Sequence, residues 1–438
     1  MIRRSPFDTP LATYRLQLHR EFTFAQATAL LPYLARLGIS HVYCSPFLKA
    51  RAGSTHGYDI VDYNRINPEL GDEASFARFC SSLAENGLGL ILDFVPNHMG
   101  IGHADNAWWL DVLEWGQASP HADYFDIDWS PPRRDLAGKL LVPILGKSYG
   151  AALTDGEIEL RFSAATGTFD FWYADHRLPL SPRDYAPVLG TLAHALPLSR
   201  ALDALQEAFL SAAPQRYQRE VANTAKDALA TAARDPAMKR EIEKAVGAWH
   251  GVKGDFPSWT RLHELLQRQS FRLAHWRTAS DEVNYRRFFD IPELAGMRMG
   301  RIVVFRDTHE FLGRLLADGI LQGLRIDHID GLADPQRYCR RLNAFAAAIV
   351  PRDAGGKRLR PYILVEKILA GSEKLPQSWP VSGTTGYDYL ALANGLFIEP
   401  TGFAKLQRHW GRFTGRDGDI VIEEEIYRCR LLVIDRNL

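Results

Sequence analysis

The chain has 438 residues, which exceeds one average domain, although an α/β barrel with insertions would use nearly all of them. Its hydrophobic content of 46% and charged content of 24% are those of an ordinary soluble globular protein. The 52 basic and 52 acidic residues cancel, so no global field attracts the chain to nucleic acid or to an anionic membrane. We therefore expect neither of those partners, and a neutral substrate fits the charge balance.

The cysteines and the N-terminus indicate the compartment. The four cysteines are scattered, with no Cys-x-x-Cys pair, at Cys44, Cys80, Cys339 and Cys429. Disulfides are therefore not expected, and a reducing cytosol is the better interpretation. The N-terminus lacks the apolar run of a signal peptide, and no long apolar span follows. We expect a cytoplasmic protein.

The first hundred residues alternate between strand and helix patterns. Residues 11–18 alternate in polarity, and residues 39–45 and 88–95 are apolar runs, which predicts three strands. Two helical patterns separate them; the first begins at a capping-box signal, Thr23 with Gln26, and each ends at a glycine. This alternation is typical of a parallel α/β sheet buried on both faces.

The middle of the chain departs from that alternation. Residues 103–190 are rich in Trp, Tyr, Pro and Asp, which indicates a loop-rich excursion or a small subdomain. Residues 195–250 are rich in alanine and charge, and their spacing predicts two or three helices broken at Pro214 and Pro236. A helix at 307–318 then restores the strand–helix order.

Two further strands are predicted near residues 323 and 362, with a helix at 335–349 between them, and residues 383–389 are interpreted as the end of a sixth strand or a loop. About six strands result, whereas a barrel of this kind needs eight. We therefore expect an α/β fold, a (β/α)8 TIM-type barrel that is incomplete in this chain. The expected segments are a first part of the barrel, a loop-rich subdomain, a helical insertion and a continuation of the barrel, at residues 1–102, 103–190, 191–280 and 281–438.

The stretch 323–331, Gly-Leu-Arg-Ile-Asp-His-Ile-Asp-Gly, concentrates ionisable residues in a short predicted strand. Such groups are buried only if they pair or take part in function. Side chains repeat every two residues along a strand, so Arg325 and Asp327 share one face. The cation is expected to lower the pKa of Asp327 and keep it ionised, as a nucleophile requires. The alternative is a buried ion pair with no catalytic role.

A second carboxylate, Glu366, ends the strand predicted near residue 362. Two strands that each carry a carboxyl group at the C-terminal end indicate the acid and nucleophile pair of a glycosidase. Glu366 is expected to have the higher pKa of the two, because ionised Asp327 raises it. The alternative is an ordinary carboxylate paired with Lys367.

Three motifs in order resemble the first three signature regions of glycoside hydrolase family 13, the α-amylase family. They are Asp-Phe-Val-Pro-Asn-His at 93–98, Gly-Leu-Arg-Ile-Asp-His at 323–328, and the strand ending in Glu366. Within that family, four stretches resemble the members that form trehalose ends on maltooligosaccharides: residues 45–59, 67–71, 284–290 and 327–335. The likeness runs through essentially the whole chain.

The resemblance implies a retaining mechanism with Asp327 as nucleophile and Glu366 as general acid/base. It implies an intramolecular transglucosylation, which converts the reducing-end α-1,4 linkage of a maltooligosaccharide or linear α-1,4-glucan to an α,α-1,1 linkage. It also implies coupling to a trehalose-releasing hydrolase. The residues that it assigns to substrate binding are Tyr58, Asp59, His56, Asn97, His98, Arg325 and His328, with a structural role as the alternative for the three histidines.

Two departures and two alternatives accompany this resemblance. The family's third carboxylate, an Asp usually preceded by His, has no counterpart among Asp388, Asp417, Asp419 and Asp435, so we expect it and the last strands beyond this chain. No clustered oxygen-ligand loop is visible, so neither calcium nor another metal or cofactor is expected.

The alternative functions are an α-glucan hydrolase or glucanotransferase on the same barrel, and a non-catalytic glucan-binding fragment. The aromatic residues that could line a glucan groove, with core packing as the alternative, are Trp108, Trp109, Trp115, Tyr124, Phe125 and Trp129.

Overall fold

The computed structural model describes residue 7 and residues 9–194, 198–352, 355–356, 359–415 and 422–437. The chain divides into two compact units. The first unit holds residues 1–98 and 299–438, and the second unit holds residues 99–298. In the part of the chain that the structure describes, no helix is both long and apolar enough to cross a membrane. The four segments expected from the sequence stay a prediction.

The described strands and helices have the following bounds. The strands are β1 (Thr13–Leu16), β2 (His41–Cys44), β3 (Leu48–Ala50), β4 (Ile60–Ile66), β5 (Gly89–Phe94), β6 (His98–Gly100), β7 (Leu140–Leu145), β8 (Ile158–Ser163), β9 (Thr168–Tyr173), β10 (His176–Pro179), β11 (Phe271–His275), β12 (Arg287–Phe288), β13 (Ile291–Gly296), β14 (Gly323–Ile326), β15 (Tyr362–Val365) and β16 (Gly383–Thr384). The helices are α1 (Phe24–Arg36), α2 (Glu73–Glu85), α3 (Ala107–Trp115), α4 (Tyr149–Thr154), α5 (Tyr185–Leu189), α6 (Ser199–Leu210), α7 (Gln215–Ala232), α8 (Pro236–Gly247), α9 (Thr260–Gln267), α10 (Ala279–Glu282), α11 (Ile302–Ala317), α12 (Pro335–Ile349), α13 (Tyr387–Gly395), α14 (Pro400–Thr414) and α15 (Ile422–Asn437).

One sheet organises the first unit. Its six strands lie in the order β1-β2-β5-β14-β15-β16, and each pair of neighbours is parallel. This order follows the chain, and helices α1, α2, α11 and α12 connect successive strands. The predicted α/β class and the six predicted strands are confirmed. Because the described sheet has six strands where a closed barrel has eight, the arrangement is that of an incomplete (β/α)8 barrel.

The predicted start and end of the first helix follow from local chemistry. The N–H of Thr23 donates to Oε1 of Gln26 at 3.0 Å, which confirms the capping box at the start of α1. Gly38 has a φ of +89°, a left-handed conformation that glycine adopts without strain, just after the helix ends at Arg36. The chain can therefore turn directly into β2.

Strand register places polar side chains on one face of the sheet. Arg15 of β1 is paired with Tyr43 of β2, and Tyr43 is paired with Ile91 of β5. Two residues beyond Ile91, Asp93 is paired with Arg325 of β14. Paired positions of adjacent strands share a face, as do positions two apart on one strand, so these side chains project from the same side. Four neighbouring strands thus bring Arg15, Tyr43, Asp93 and Arg325 together.

The second unit contains sheets and helices. Strands β10, β9 and β8 form an antiparallel sheet, β11 and β7 a parallel pair, and β12 and β13 an antiparallel pair. Helices α6, α7 and α8 confirm the predicted helices within 195–250: Pro214 immediately precedes α7, and Pro236 is the first residue of α8. The segment at 103–190 has strands that the sequence analysis did not identify. In β8, buried Ile158 and Leu160 do alternate with polar residues, a signal that the surrounding aromatic and proline-rich composition obscures.

Candidate active site

Asp93 is the centre of a hydrogen-bonded network at the C-terminal end of β5. Its carboxylate is fully buried. Oδ2 accepts hydrogen bonds from the hydroxyl of Tyr58 at 2.6 Å, the hydroxyl of Tyr43 at 2.7 Å and Nη1 of Arg15 at 3.1 Å. Oδ1 accepts from Nη1 of Arg325 at 2.8 Å. A buried carboxylate is costly unless it is paired and hydrogen-bonded, and these four donors supply both.

Arg325 joins this network to Asp327. The same Nη1 that donates to Asp93 also donates to Oδ1 of Asp327, which directly follows β14. Both residues are nearly buried, with 7% of Arg325 and 8% of Asp327 exposed. Nε of Arg325 has no hydrogen-bond partner among the described residues. One guanidinium nitrogen therefore serves two carboxylates.

The ionisation of Asp327 differs from the sequence prediction. Burial raises the pKa of Asp327 from its ordinary value to about 6. Arg325 opposes this rise in the pKa, while the negative charges of Asp93 and Glu366 add to it. The prediction that Arg325 would hold the pKa of Asp327 low is therefore wrong, because removal from water and two neighbouring carboxylates outweigh a cation that is already shared. At pH 7 the carboxyl group is still mostly ionised.

Glu366 lies beside Asp327 because their strands are neighbours. It directly follows β15, which is paired in parallel with β14. Its N–H donates to the carbonyl of Ile326 at 2.8 Å, and its Oε2 accepts from the backbone N–H of His328 at 3.1 Å. Lys367 makes its salt bridges to other carboxylates, Asp330 at 3.2 Å and Glu373 at 2.8 Å. The side chain of Glu366, only partly buried, is therefore oriented by backbone next to Asp327.

Three predicted substrate-binding residues lie on the loop between β3 and β4. Tyr58 reaches the network through its hydroxyl, and its backbone N–H donates to Nδ1 of His56 at 3.0 Å. The ring of His56 lies 5.9 Å from the ring of Tyr58 and is half exposed. Asp59 is buried and turns into the loop, where it accepts from Ser54 Oγ at 2.5 Å and lies 3.7 Å from Arg51. The structure thus brings Tyr58 to the carboxylates, whereas Asp59 braces the loop.

The other predicted residues follow β5 and β14. Asn97 and His98 are each about 1% exposed, and their side chains are within 3.3 Å of each other. His328 is left-handed, with a φ of +46°, and is partly exposed. A Cβ on Gly331 would lie 2.3 Å from the ring of His328 and 2.5 Å from Oδ1 of Asn97. Only glycine leaves room here for both side chains, so the loop after β14 can bring Asn97 and His328 next to each other against Gly331.

Sequence reasoning missed Arg15 and Tyr43 as members of the site. Arg15 alternates with buried Leu16 on β1, so the available signal was a polar residue on a strand otherwise expected to be buried. Such a residue is equally compatible with a side chain that faces solvent and with one that belongs to a buried site. Only the register of the sheet decides between these two placements. Four of the aromatic residues suggested for a glucan groove are buried in the second unit, as the alternative of core packing predicts: Trp109, Trp115, Tyr124 and Phe125.

The arrangement has the composition of an acid and nucleophile pair. One buried carboxyl group lies against a guanidinium, and a second, more accessible carboxyl group lies on the next strand. Two carboxylates in different surroundings can divide the roles of nucleophile and proton donor in glycoside chemistry. Within the described ranges, no group of three or more His, Cys, Asp or Glu side chains is placed to hold a metal ion.

Known proteins match this chain in sequence and structure. The model of the alpha-amylase catalytic domain matches residues 26–151. A Mycobacterium tuberculosis protein with the provisional name maltooligosyl trehalose synthase is 33% identical over 405 residues, which is 90% of this chain and 40% of that protein. The structure of maltooligosyltrehalose synthase from Arthrobacter ramosus superimposes with a TM-score of 0.65 at 32% identity, over 93% of this chain and 41% of that one. A structure titled DSM5389 glycosyltrehalose synthase gives 0.69 at 30% identity, over 98% of this chain and 46% of that one.

The parallel sheet of the described residues and the match over residues 26–151 make this chain similar to the catalytic domain of the alpha-amylase family. The three proteins above, whose matches each cover 90% or more of this chain, are named or titled as maltooligosyl trehalose synthase or glycosyltrehalose synthase. The chain spans about 40% of the length of the relatives that it matches.

Proposed function

We propose that this chain carries the nucleophile and the general acid/base of a (1→4)-α-D-glucan 1-α-D-glucosylmutase. The substrate is a maltooligosaccharide or linear α-1,4-glucan, and the product has an α,α-1,1 linkage at its former reducing end. The observation that carries the proposal is the placement of Asp327 and Glu366 at the ends of adjacent parallel strands. Glu366 accepts from the N–H of residue 328, the neighbour of Asp327. The names of the long-matching relatives support the particular reaction.

In the proposed mechanism, the carboxylate of Asp327 attacks C1 of the penultimate glucose. Glu366 donates its proton to O4 of the reducing-end glucose as the C1–O4 bond breaks, so that glucose becomes free. The freed glucose turns, and Glu366 takes the proton from its C1 hydroxyl as that oxygen attacks C1 of the glycosyl-enzyme. One C–O bond is broken and one is formed at the same carbon with two inversions, so the configuration is retained and no water is consumed.

The remaining residues are proposed to hold the sugar or orient the carboxylates. Arg325 orients Asp327, to which its Nη1 donates a hydrogen bond. Tyr58 with His56 offers an amphipathic ring surface beside the network, suited to the apolar face of a pyranose. Asn97, His98 and His328 supply polar groups at the ends of β5 and β14, where barrel enzymes place such groups. Asp59 is proposed to act by fixing the loop that carries Tyr58.

We also propose a cellular setting for this reaction. A trehalose end on a maltooligosaccharide is a substrate for a hydrolase that releases trehalose, so we propose trehalose biosynthesis with functional coupling to such an enzyme. The cytoplasm is proposed as the location. It is supported by the four free cysteines, Cys44, Cys80, Cys339 and Cys429, which fit a reducing compartment.

The test is incubation of the purified chain with maltopentaose, following reducing ends and products by chromatography. Loss of reducing ends with a trehalose-terminated product of unchanged length is the expected result. Asp327→Asn and Glu366→Gln should each abolish it. Asp330→Asn is the matched control, because Asp330 is an exposed neighbour that contacts Lys367. Turnover that persists in Asp327→Asn would contradict the assignment of the nucleophile.

A second candidate is an α-glucan hydrolase or glucanotransferase, favoured by the match to the general alpha-amylase catalytic domain. The same carboxylate pair hydrolyses the glycosyl-enzyme if water rather than the turned glucose attacks. The same incubation separates the two, because hydrolysis creates reducing ends and isomerisation removes them. Binding of maltopentaose with no product of either kind would indicate a glucan-binding function.

A further inference from the structure

Two residues of the site network, Arg15 and Tyr43, have no part in the proposed mechanism. They lie on β1 and β2, and both donate to Oδ2 of Asp93. The guanidinium of Arg15 lies over the ring of Tyr43, 4.7 Å from its centroid. Its Nη2 donates to Gln17 at 3.0 Å and to the hydroxyl of Tyr58 at 2.9 Å. Four residues thereby hold Arg15 in place: Asp93, Tyr43, Gln17 and Tyr58.

Both phenols of the network are donors at neutral pH. Burial, with the adjacent charge of Asp93, raises the pKa of Tyr43 and of Tyr58 well above the ordinary value for tyrosine. Each hydroxyl therefore keeps its proton and donates a hydrogen bond to Oδ2 of Asp93. With Nη1 of Arg15, three donors from three chain segments fix the direction of one carboxylate oxygen.

The other oxygen of Asp93 transmits this orientation. Oδ1 receives Nη1 of Arg325, which is also the nitrogen that contacts Asp327. Among the described residues, the side chain of Arg325 makes its hydrogen bonds through Nη1 alone, and its buried Nε has no partner. Any rotation of the Asp93 carboxylate therefore moves the group that orients Asp327.

We propose that Tyr43 and Arg15 are positioning residues, which hold Asp93 so that one nitrogen of Arg325 is shared between Asp93 and Asp327. This inference deepens the proposed function, since it rests on Asp327 being the nucleophile. Loss of a donor to Oδ2 leaves the anion of Asp93 less satisfied. The hydrogen bond between Asp93 and Arg325 then becomes stronger, and the hydrogen bond between Arg325 and Asp327 becomes weaker. Because the cation stabilises ionised Asp327 less, the pKa of Asp327 rises.

The groups that face Asp327 are Arg325, Asp93 and Glu366. Tyr43 and Arg15 act on it only through Asp93, because each of them is bonded to Asp93 and not to Asp327. A purely structural role for Tyr43 would lower stability on substitution and leave the titration of Asp327 where it was. A positioning role shifts that titration.

The experiment is a direct titration of Asp327 between pH 4 and pH 8 in the full chain. The protein is labelled with 13C at aspartate side-chain carboxyls, and the resonance of Asp327 is assigned by its loss in Asp327→Asn. We expect Tyr43→Phe to raise the pKa of Asp327 by about 0.5 to 1 unit, a threefold to tenfold change in proton affinity. Arg15→Lys keeps the positive charge but replaces the two-pronged guanidinium by a single ammonium group. It should raise the pKa of Asp327 by a smaller amount.

The matched control is Tyr63→Phe. Tyr63 is a fully buried tyrosine of the same unit, and its hydroxyl donates to the backbone carbonyls of Val95 at 2.7 Å and His98 at 3.1 Å. It should leave the titration of Asp327 within about 0.2 unit. Equal shifts in Tyr43→Phe and Tyr63→Phe, or no shift in folded Tyr43→Phe and Arg15→Lys, would overturn the inference.

If Tyr43→Phe does not fold, Arg15→Lys decides the question by itself. The titration is independent of turnover, so it separates this inference from the proposed function. A shifted titration in a chain that fails to convert maltopentaose would support the network and count against the proposed reaction. Normal conversion of maltopentaose by the wild type, with an unshifted titration of Asp327 in the variants, would support the proposed reaction and count against the network.

Discussion

The raised pKa of Asp327 makes the stability of the protein depend on pH, and Asp327→Asn should remove that dependence. A carboxyl group whose pKa is higher in the folded state than in the unfolded state binds its proton more tightly when folded. Its contribution to stability is therefore fully present below about pH 4 and is lost as the pH rises through about 6. A rise of about two units from the ordinary value corresponds to about 3 kcal/mol. Asp327 is only 8% exposed, so little solvent screening reduces this figure.

The assay is chemical unfolding of the wild type and of Asp327→Asn at several values between pH 4 and pH 7. The free energy of unfolding of the variant, relative to the wild type, should increase by about 3 kcal/mol over this range. Asparagine resembles the protonated acid in size and charge, so the difference between the two curves isolates the ionisation of Asp327. Groups that are not coupled to Asp327 titrate equally in both proteins and cancel, so the difference reports Asp327 and the charges of its neighbours Asp93 and Glu366.

A control with the opposite sign is available in the same unit. Asp72 is exposed, and hydrogen bonds from the side chain and backbone of Ser75 hold its pKa below its ordinary value. The difference curve of Asp72→Asn should be flat or should slope the other way. Parallel stability curves for the wild type and Asp327→Asn would refute the reasoning that burial dominates the ionisation of Asp327.

Three further predictions concern catalysis, the loop and the core. If the chain turns over substrate, kcat/KM should fall tenfold per pH unit below about pH 6, as Asp327, the proposed nucleophile, is protonated; a profile that stays flat down to pH 4.5 would contradict it. Gly57→Ala should destabilise the protein by about 1 to 3 kcal/mol more than Gly53→Ala in thermal unfolding. Both glycines have positive φ, but a Cβ at Gly57 would lie 2.3 Å from the carbonyl oxygen of Pro46, whereas Gly53 has open space; equal losses would exclude this contact as the cause. Burial lowers the pKa of His309 to about 3, so its contribution to stability is present above about pH 6.5 and lost as the pH falls. Unfolding measurements should show that His309→Gln removes about 3 kcal/mol of acid sensitivity between pH 6.5 and pH 4, and an unchanged slope would count against a buried neutral imidazole.

Part of this protein is readable from the sequence because the signals are local. Some signals act within a few residues and produce the predicted elements. They are the capping box at Thr23 and Gln26, the prolines Pro214 and Pro236, and the apolar runs at the strands. The parallel order of the sheet follows from the alternation of strands and helices. The carboxylates Asp327 and Glu366 were identifiable since each directly follows a strand.

Other features required the tertiary structure. Arg15 and Tyr43 join the site only because the sheet register aligns β1 and β2 with Asp93, and such pairings between distant segments leave no local pattern. The direction of the pKa shift of Asp327 was also not available from its neighbours in sequence. Arg325 two residues away predicts a low pKa for Asp327, whereas in the folded chain burial, together with the charges of Asp93 and Glu366, raises that pKa. Charge interactions depend on distance and solvent exposure in three dimensions, so the fold rather than the motif decides how this carboxyl group ionises.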